Sequence, residues 1–501
     1  MNKTLYLTTP IYYINGSPHL GHAYTSIIAD VIARAHRLFG KDVFFLTGTD
    51  EHGQKIVEAA QKSGSPLAHF IDARAQEFKE MNTLLNISNS NFIRTSSDLH
   101  KKVVTEIITS IYSNGDIYAG TYRGLYCVGC EAYYSKDDLI DGNRCPTHQQ
   151  EVRELEEDTY FFKLGKYQDK LLEYYEKNPN FILPQTRFSE IYNRVKAGLD
   201  DLSITRTSFD WGVRFPFDHK HVLYVWVDAL CNYISGLDGI KTSTFARFWP
   251  PDVQIIGKDI SWFHTVIWPA LLLSAGISLP KQVLIHGWWT VEGDKMSKTL
   301  GNVIDPFEMS REYGSDVFRF YLMYNAHMGS DSNFSLAELK QQNNAVLANN
   351  IGNLVSRVVT LLNQYCNGTI PMITEFDPEE KKFIEIIKDN KKYVDEISSY
   401  TIRNALFDVI EKFAELNKYI TDRKPWDDFK HSNKSRGEKT LAMICESIRF
   451  LSLQLDPFIP IKAQEIRKSL GTMNINLDFD FKYSAGSKVL AEKRILFAKL
   501  E

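Results

Sequence analysis

Leu5-Tyr6-Leu7-Thr8-Thr9-Pro10-Ile11-Tyr12-Tyr13-Ile14-Asn15-Gly16-Ser17-Pro18-His19-Leu20-Gly21-His22 is the stretch on which the fold turns. Leu5–Leu7 and Ile11–Tyr13 are apolar and rich in β-formers, and Asn15-Gly16-Ser17-Pro18 is turn chemistry. From Leu20 to Phe39 the apolar residues Ile27, Ile28, Val31, Ile32 and Ala35 recur at helical spacing, and Gly40 suits the position just past a helix end. Val43–Leu46 then forms a short, wholly apolar run, the mark of a strand covered on both faces in a parallel sheet. The segment therefore predicts a β-α-β unit, with a right-handed crossover.

The same pattern returns further along. Val222–Val227 reads as a strand ahead of a helix starting near Asp228. Val253–Ile256 precedes Gly257 and a helix running through Trp268, and Val283–Ile285 makes one more strand, extended by Trp288-Trp289-Thr290. Alternation of this kind predicts an α/β, doubly wound parallel sheet. Residues 116–215, rich in Tyr, Asp, Glu and Gly, break the rhythm and read as an insertion. From Ser335 the chain turns helical: Ser335-Leu336-Ala337-Glu338 is a capping-box sequence, followed by helices expected over 336–363, 378–396, 401–420 and 437–455.

The chain has 501 residues, 44% of them hydrophobic and 24% charged, which excludes a largely disordered protein and requires two or more domains. Lys and Arg number 58 against 62 Asp and Glu, a net charge of −4. That excludes a uniformly basic nucleic-acid coat but not a local basic surface. The longest apolar stretch, Val266–Ile277, contains Pro269 and is too short to span a bilayer. The N-terminus has no signal-peptide pattern. Six cysteines without framework spacing suit a reducing, cytosol-like compartment.

Three motifs carry chemistry. Pro18-His19-Leu20-Gly21-His22 lies between the first strand and its helix, where free backbone N–H groups and the helix dipole suit an anion and Gly21 admits a base or phosphate to the backbone. Lys295-Met296-Ser297-Lys298-Thr299, flanked by Gly293 and Gly301, is a loop able to close two cations over a polyphosphate. Taken alone, the histidines read first as capping or structural residues and the lysines as a solvated loop. The third motif, Cys127-x2-Cys130-x14-Cys145-x2-His148, has two close pairs of soft or borderline donors, the spacing of a tetrahedral structural zinc.

His19-x-Gly21-His22 and Lys295–Thr299 together resemble the paired ATP motifs of class I aminoacyl-tRNA synthetases. Essentially the whole chain resembles the methionyl-tRNA synthetase family. The matching stretches are Tyr12–Gly16, Gly48–Gly53, Tyr224–Ala229, Ile255–Ile260 with His264 and Trp268, Asn353-x3-Arg357 and Lys424-Pro425-Trp426. Thr299 stands where the family often has Ser, and Leu230 where it often has Pro. No bulky editing insertion of the leucine, isoleucine and valine enzymes is visible. A cysteine enzyme would place its zinc in the substrate pocket, whereas these ligands fall in the insertion.

The resemblance implies a Rossmann-like catalytic domain in two halves, 1–115 and 216–290, and a connective insertion over 116–215 with one zinc knuckle (Cys127, Cys130, Cys145, His148). It further implies a Lys-Met-Ser-Lys-Thr and stem-contact region at 291–340 and an all-α anticodon-binding bundle at 341–501. ATP would be held by His19, Gly21, His22, Gly257, Asp259, Lys295 and Lys298, with His19, His22, Lys295 and Lys298 as the catalytic group. The methionine pocket would comprise Ile11, Tyr13, Asp50, Trp226, Ala229, Tyr233, Ile260, His264 and Trp268. Asn353, Arg357 and Trp426 would read the anticodon. The implied partners are ATP with Mg2+, L-methionine, and initiator and elongator tRNA(Met). The expected state is a cytoplasmic monomer with one structural zinc and no membrane association.

Overall fold

A computed structural model of the chain describes residues 3–127, 132–134, 139–146, 149–295, 302–431, 433–491 and 494–501. Strand β1 (Thr4–Thr8) leads to the short β2 (Tyr12–Tyr13), helix α1 (Leu20–Leu38) and strand β3 (Asp42–Asp50). This is the β-α-β unit expected from the sequence, with Gly40 at φ +81° just past the helix. Helix α2 (Gln54–Ser63) follows, and β4 (Asn91–Arg94) later joins β3.

The main sheet is parallel throughout. Its order is β2, β3, β1, Val253–Gly257, Val283–His286 and Ile182–Leu183, with β4 also paired to β3. The chain thus builds outward from β1 on one side, then crosses to lay Val253–Gly257 on the other. The point where the order reverses lies between the carboxyl ends of β1 and Val253–Gly257. In an open parallel sheet that crevice is where ligands bind, because loops diverge there and backbone groups remain unpaired. Ile182–Leu183, from within the 116–215 stretch, forms one edge of the sheet. The rest of that stretch contributes an antiparallel sheet ordered Ala132–Tyr134, Ile117–Cys127, Arg153–Phe162 and Leu202–Ser203.

Several expectations are corrected. Residues 222–227 do not form a strand of the parallel sheet: Val222–Leu223 pairs antiparallel with Thr205–Arg206, and a helix begins at Val225. A short apolar run is buried equally well in either form, so hydrophobicity alone does not distinguish them. Trp289–Val291 does not extend the sheet but pairs with Ser332–Phe334 and Asp294–Lys295 in a separate small one. The Ser335 capping box does not form. The Ser335 N–H instead donates to the Tyr321 hydroxyl at 2.8 Å, so an aromatic from a neighbouring helix supplies the cap.

The C-terminal bundle is helical as expected. Its first helix runs over 336–365 with a π-helical middle, Asn343–Gly352. By length and composition this helix could cross a bilayer, yet Leu354, Val355, Val358 and Leu362 are buried in the bundle core. The stretch expected as one helix at 378–396 breaks at Asp389-Asn390 into Pro378–Lys388 and Lys391–Ser398. There the Asp389 carboxylate accepts the Lys391 N–H and Lys412 donates to the Asp389 carbonyl. Ile402–Arg423 and Lys434–Leu455 complete the long helices.

The core beneath one face of the main sheet continues without interruption into the bundle. A buried cation sits at the join. Arg319 donates to the Asp30 carboxylate (2.7 Å) on α1 and to the carbonyls of Leu85 (2.9 Å), Pro457 (2.6 Å) and Phe458 (3.0 Å). Burial pushes the Asp30 carboxyl up, but Arg319, Arg34 and the two Ser88 donors hold it below its usual value. Removing one partner of a buried ion pair strands the other, so Arg319→Met should lower unfolding stability by about 3–5 kcal/mol in urea denaturation. An unchanged midpoint would contradict this role.

Candidate active site

A cavity of about 590 Å3 opens at the carboxyl edge of the main sheet, at the reversal of strand order. His19 and His22 form its helix-end wall. His19 is the N-cap of α1: its Nδ1 accepts the Gly21 N–H (3.1 Å), while His22 Nδ1 accepts the His19 N–H (3.2 Å). The structural, capping reading of these histidines is therefore realised, and both side chains also line the cavity. Because each Nδ1 accepts a backbone hydrogen, each neutral ring carries its proton on Nε2. The rings lie 3.8 Å apart, and burial, with His19 alongside, holds His22 well below the ordinary histidine pKa. A Cβ on Gly21 would lie 3.1 Å from the His19 ring, so glycine is what lets the ring fold over the first turn.

Opposite this wall, β2 pairs Tyr13 with Asp50, the last residue of β3. Ile11, Tyr13 and Asp50 line the cavity together with Trp226, Ala229, Tyr233, Ile260 and His264. Trp226 stacks on Phe263 at 3.9 Å. The Tyr233 hydroxyl meets His264 Nε2 at 2.6 Å, and His264 Nδ1 lies 3.0 Å from the Ile260 carbonyl. The carbonyl requires a hydrogen on Nδ1, and burial favours the neutral ring, whose Nε2 then accepts from the Tyr233 hydroxyl. Eight of the nine residues expected around methionine thus line one space.

The ninth, Trp268, does not. It is fully buried behind Tyr233, with their ring centres 6.2 Å apart, and stands edge-on to Trp249.

On the far side, Gly257 and Asp259 also line the cavity. Asp259 accepts from the Trp288 indole at 3.1 Å. A Cβ on Gly257 would lie 2.7 Å from the Asp259 carboxylate, so this glycine makes room for the acid. Lys295 ends the strand Asp294–Lys295, paired with Thr290. Its side chain, Lys298 and the rest of the 296–301 loop lie outside the described residues.

Sequence reasoning missed several features. Lys55, in the first turn of α2, is part of the cavity wall, and so are Trp288 and His286. The wall helix Val225–Leu230 is also anchored from behind. Asp228 is bound by His52 (2.6 Å) and His100 (2.8 Å), and His100 by Ser235 (2.7 Å), all buried. Burial pushes the Asp228 carboxyl up, but the two imidazoles hold it well below its usual value. A carboxylate gripped from both sides fixes the helix that carries Trp226 and Ala229. The signal was present in His52, two residues past Asp50, but nothing in the sequence says that His100 packs beside it.

Among the expected bundle residues, the Arg357 guanidinium lies 4.5 Å over the Trp426 ring and donates to Thr421 (3.2 Å). Asn353 is exposed one helical turn before Arg357, its amide 3.5 Å from Asn349. In the inserted region Cys127 and Cys145 are buried. Cys130 and His148 lie outside the described residues, and among the described residues no group of three or more metal-ligating side chains is present.

His264 gives a testable pH dependence. Burial lowers its pKa from 6.5 to about 4. Between those values the unfolded chain takes up a proton that the folded chain refuses, so stability falls as pH drops from about 6.5 towards 4, by up to about 3 kcal/mol. In urea denaturation at pH 7.5 and 4.5, His264→Gln should lose less stability than the parent protein. Equal losses would contradict the assignment.

The matches to known proteins agree with this geometry. The family model for class I tRNA synthetases (M) covers residues 5–156 and 147–359, and the model for the anticodon binding domain of methionyl tRNA ligase covers 370–499. A methionine–tRNA ligase of Thermotoga maritima is 45% identical over 92% of this chain and 74% of its own length. That of Rickettsia conorii is 42% identical, with both chains covered in full. Mycobacterium tuberculosis methionyl-tRNA synthetase in complex with methionyl-adenylate superposes with a TM-score of 0.94 at 37% identity, over 99% of each chain. With both halves of the molecule matched and the cavity at the expected sheet edge, the chain belongs to the methionine–tRNA ligase family of class I tRNA synthetases.

Proposed function

We propose that this cavity activates L-methionine with ATP to methionyl-adenylate and that the chain transfers the methionyl group to tRNA(Met), initiator and elongator alike. One observation carries the reading. The His19/His22 cap at the start of α1, suited to phosphate, faces an apolar chamber with one buried acid, Asp50, at its edge. Asp50 takes the substrate ammonium. Trp226, Tyr233 and His264 enclose the thioether, whose sulfur is favourably placed against aromatic rings. Gly257 and Asp259 meet the ribose. The imidazole Nε2–H groups of His19 and His22 donate to phosphate oxygens, and Lys295 and Lys298 neutralise the departing pyrophosphate.

In the first step the methionine carboxylate oxygen attacks the α-phosphorus in line. The bond from that phosphorus to the bridging oxygen breaks, and its electron pair leaves with pyrophosphate. In the second, the 2′-hydroxyl of the terminal tRNA adenosine attacks the activated carbonyl and AMP departs. No covalent enzyme intermediate is required, so catalysis rests on positioning and charge stabilisation. Mg2+ accompanying ATP offsets phosphate charge.

In the bundle, Trp426 stacks on an unpaired anticodon base while Asn353 and Arg357 read base edges. Arg357 already occupies one face of the Trp426 ring, so the base stacks on the other face or takes the guanidinium's place. A structural zinc suits the inserted region: the buried thiols of Cys127 and Cys145 supply two soft donors, and Cys130 and His148 have the spacing to complete a tetrahedral set. A cytoplasmic location fits the cysteine usage and the absence of framework disulfide spacing.

Methionine-dependent ATP–pyrophosphate exchange tests the core of the proposal: the protein should exchange with methionine, and no exchange would refute it. Trp426→Ala should leave that exchange intact while raising the KM for tRNA(Met) about 10- to 100-fold, as loss of one stacked base predicts. An unchanged KM would remove Trp426 from the anticodon site. Metal analysis should find about one zinc per chain, lost in Cys145→Ser. A metal-free parent protein would exclude the knuckle.

A further inference from the structure

The described part of the cavity wall carries little positive charge for a reaction that brings anions together. The substrates bring several negative charges together: the methionine carboxylate must approach the α-phosphate of ATP, and the two repel. Among the described residues, the wall carries two carboxylates, Asp50 and Asp259, and one ammonium, Lys55. Three of the four wall histidines do not redress this. Burial holds His22 and His286 below their ordinary pKa and His264 at about 4, so they are hydrogen-bond donors or acceptors at neutral pH rather than cations.

Lys55 is also in the right place. It lies in the first turn of α2, five residues beyond Asp50, with its Nζ 5.9 Å from the centre of the Tyr13 ring. Tyr13 is paired with Asp50 across β2 and β3. In an amino acid the ammonium and carboxylate share one carbon, so a carboxylate oxygen lies about 3 Å from the nitrogen. A methionine anchored by its ammonium at Asp50 therefore presents its carboxylate within reach of an ammonium on the same wall.

We propose that Lys55 is a catalytic residue for adenylate formation, its ammonium contacting the attacking carboxylate and the α-phosphate oxygen where they meet. The inference rests on the reading of Asp50 as the ammonium site. The step balances without proton transfer by Lys55: the carboxylate-to-phosphorus bond forms, the phosphorus-to-bridging-oxygen bond breaks, and pyrophosphate leaves with the electron pair. The Lys55 ammonium offsets the charge that accumulates on the phosphorus oxygens. Such a contact strengthens as the transition state forms and acts on kcat more than on ground-state affinity.

The test uses the full-length protein and the variants Lys55→Met and Lys55→Arg. Lys55→Met should lower kcat of methionine-dependent ATP–pyrophosphate exchange by about 100-fold or more. Its affinity for methioninol, which has the ammonium and thioether but no carboxylate, should stay within about threefold of the parent. Lys55→Arg keeps the charge and should recover at least about a tenth of parent activity. Exchange by Lys55→Met within about threefold of the parent overturns the proposal. So does a loss of methioninol affinity as large as the loss of kcat, which marks a merely structural role. If the parent protein itself shows no methionine-dependent exchange, the Asp50 reading falls and this proposal with it. Parent exchange combined with an active Lys55→Met variant refutes the role of Lys55 alone.

Discussion

The buried contact between Asp30 and Arg319 holds the two halves of the molecule in one frame. Asp30 lies in the middle of α1, the helix whose first turn is the His19/His22 wall. Arg319 reaches from it to the carbonyls of Pro457 and Phe458, just past the C-terminal end of the bundle helix Lys434–Leu455. A guanidinium out of water demands that its donors be satisfied. Here Nε, Nη1 and Nη2 all find oxygens, three of them backbone carbonyls that do not rotate away. The cost of burying the charge is thereby turned into a geometric requirement: α1, residue 85 and the 457–458 turn must meet at one point. Arg34 adds a second tie, bound to Asp30 and facing Asp456. The helix proposed to meet the phosphates and the bundle matched by the anticodon binding domain model are fixed to the same buried group.

From that frame the cavity follows by sheet topology. Strands β1 and β3 on one side and Val253–Gly257 on the other leave a crevice at their carboxyl ends, and each contributes a differently suited group. β3 ends in Asp50, α1 begins with histidines capped so that Nε2 carries the proton, and Val253–Gly257 ends in a glycine that makes room for Asp259. The aromatic chamber is steadied from outside by the His52–Asp228–His100 bridge and from within by the Tyr233–His264 bond. Burial disfavours the charged form of His264, which suits a chamber for an uncharged thioether. The same neutrality leaves charge compensation to lysines and to the metal that accompanies ATP.

Much of this was legible in the sequence, and the failures have physical causes. The first β-α-β unit was readable because a buried parallel strand and an amphipathic helix have distinct periods. The His19-x-Gly21-His22 and Lys295–Thr299 pair gave the family, and with it eight of the nine pocket residues that the structure brings together. Val222–Val227 was misread because six apolar residues suit a buried helix as well as a strand. Trp268 was assigned to the pocket by the family resemblance, and here it packs fully buried behind Tyr233 instead of lining the cavity. Ser335 and Glu338 have the right spacing for a capping box, but Tyr321 from another helix takes the place. Lys55 and His100 were missed for the same reason: what each does depends on a neighbour distant in sequence, which no local pattern records.

A crystal structure with a non-hydrolysable methionyl-adenylate analogue bears most directly on the account. The prediction is one ligand in the cavity at the strand-order reversal, its ammonium within hydrogen-bond distance of Asp50. The thioether should lie against Tyr233 and His264, and the phosphate between the start of α1 and Lys55. A ligand seated elsewhere, or one bound there with its ammonium away from Asp50, would contradict it.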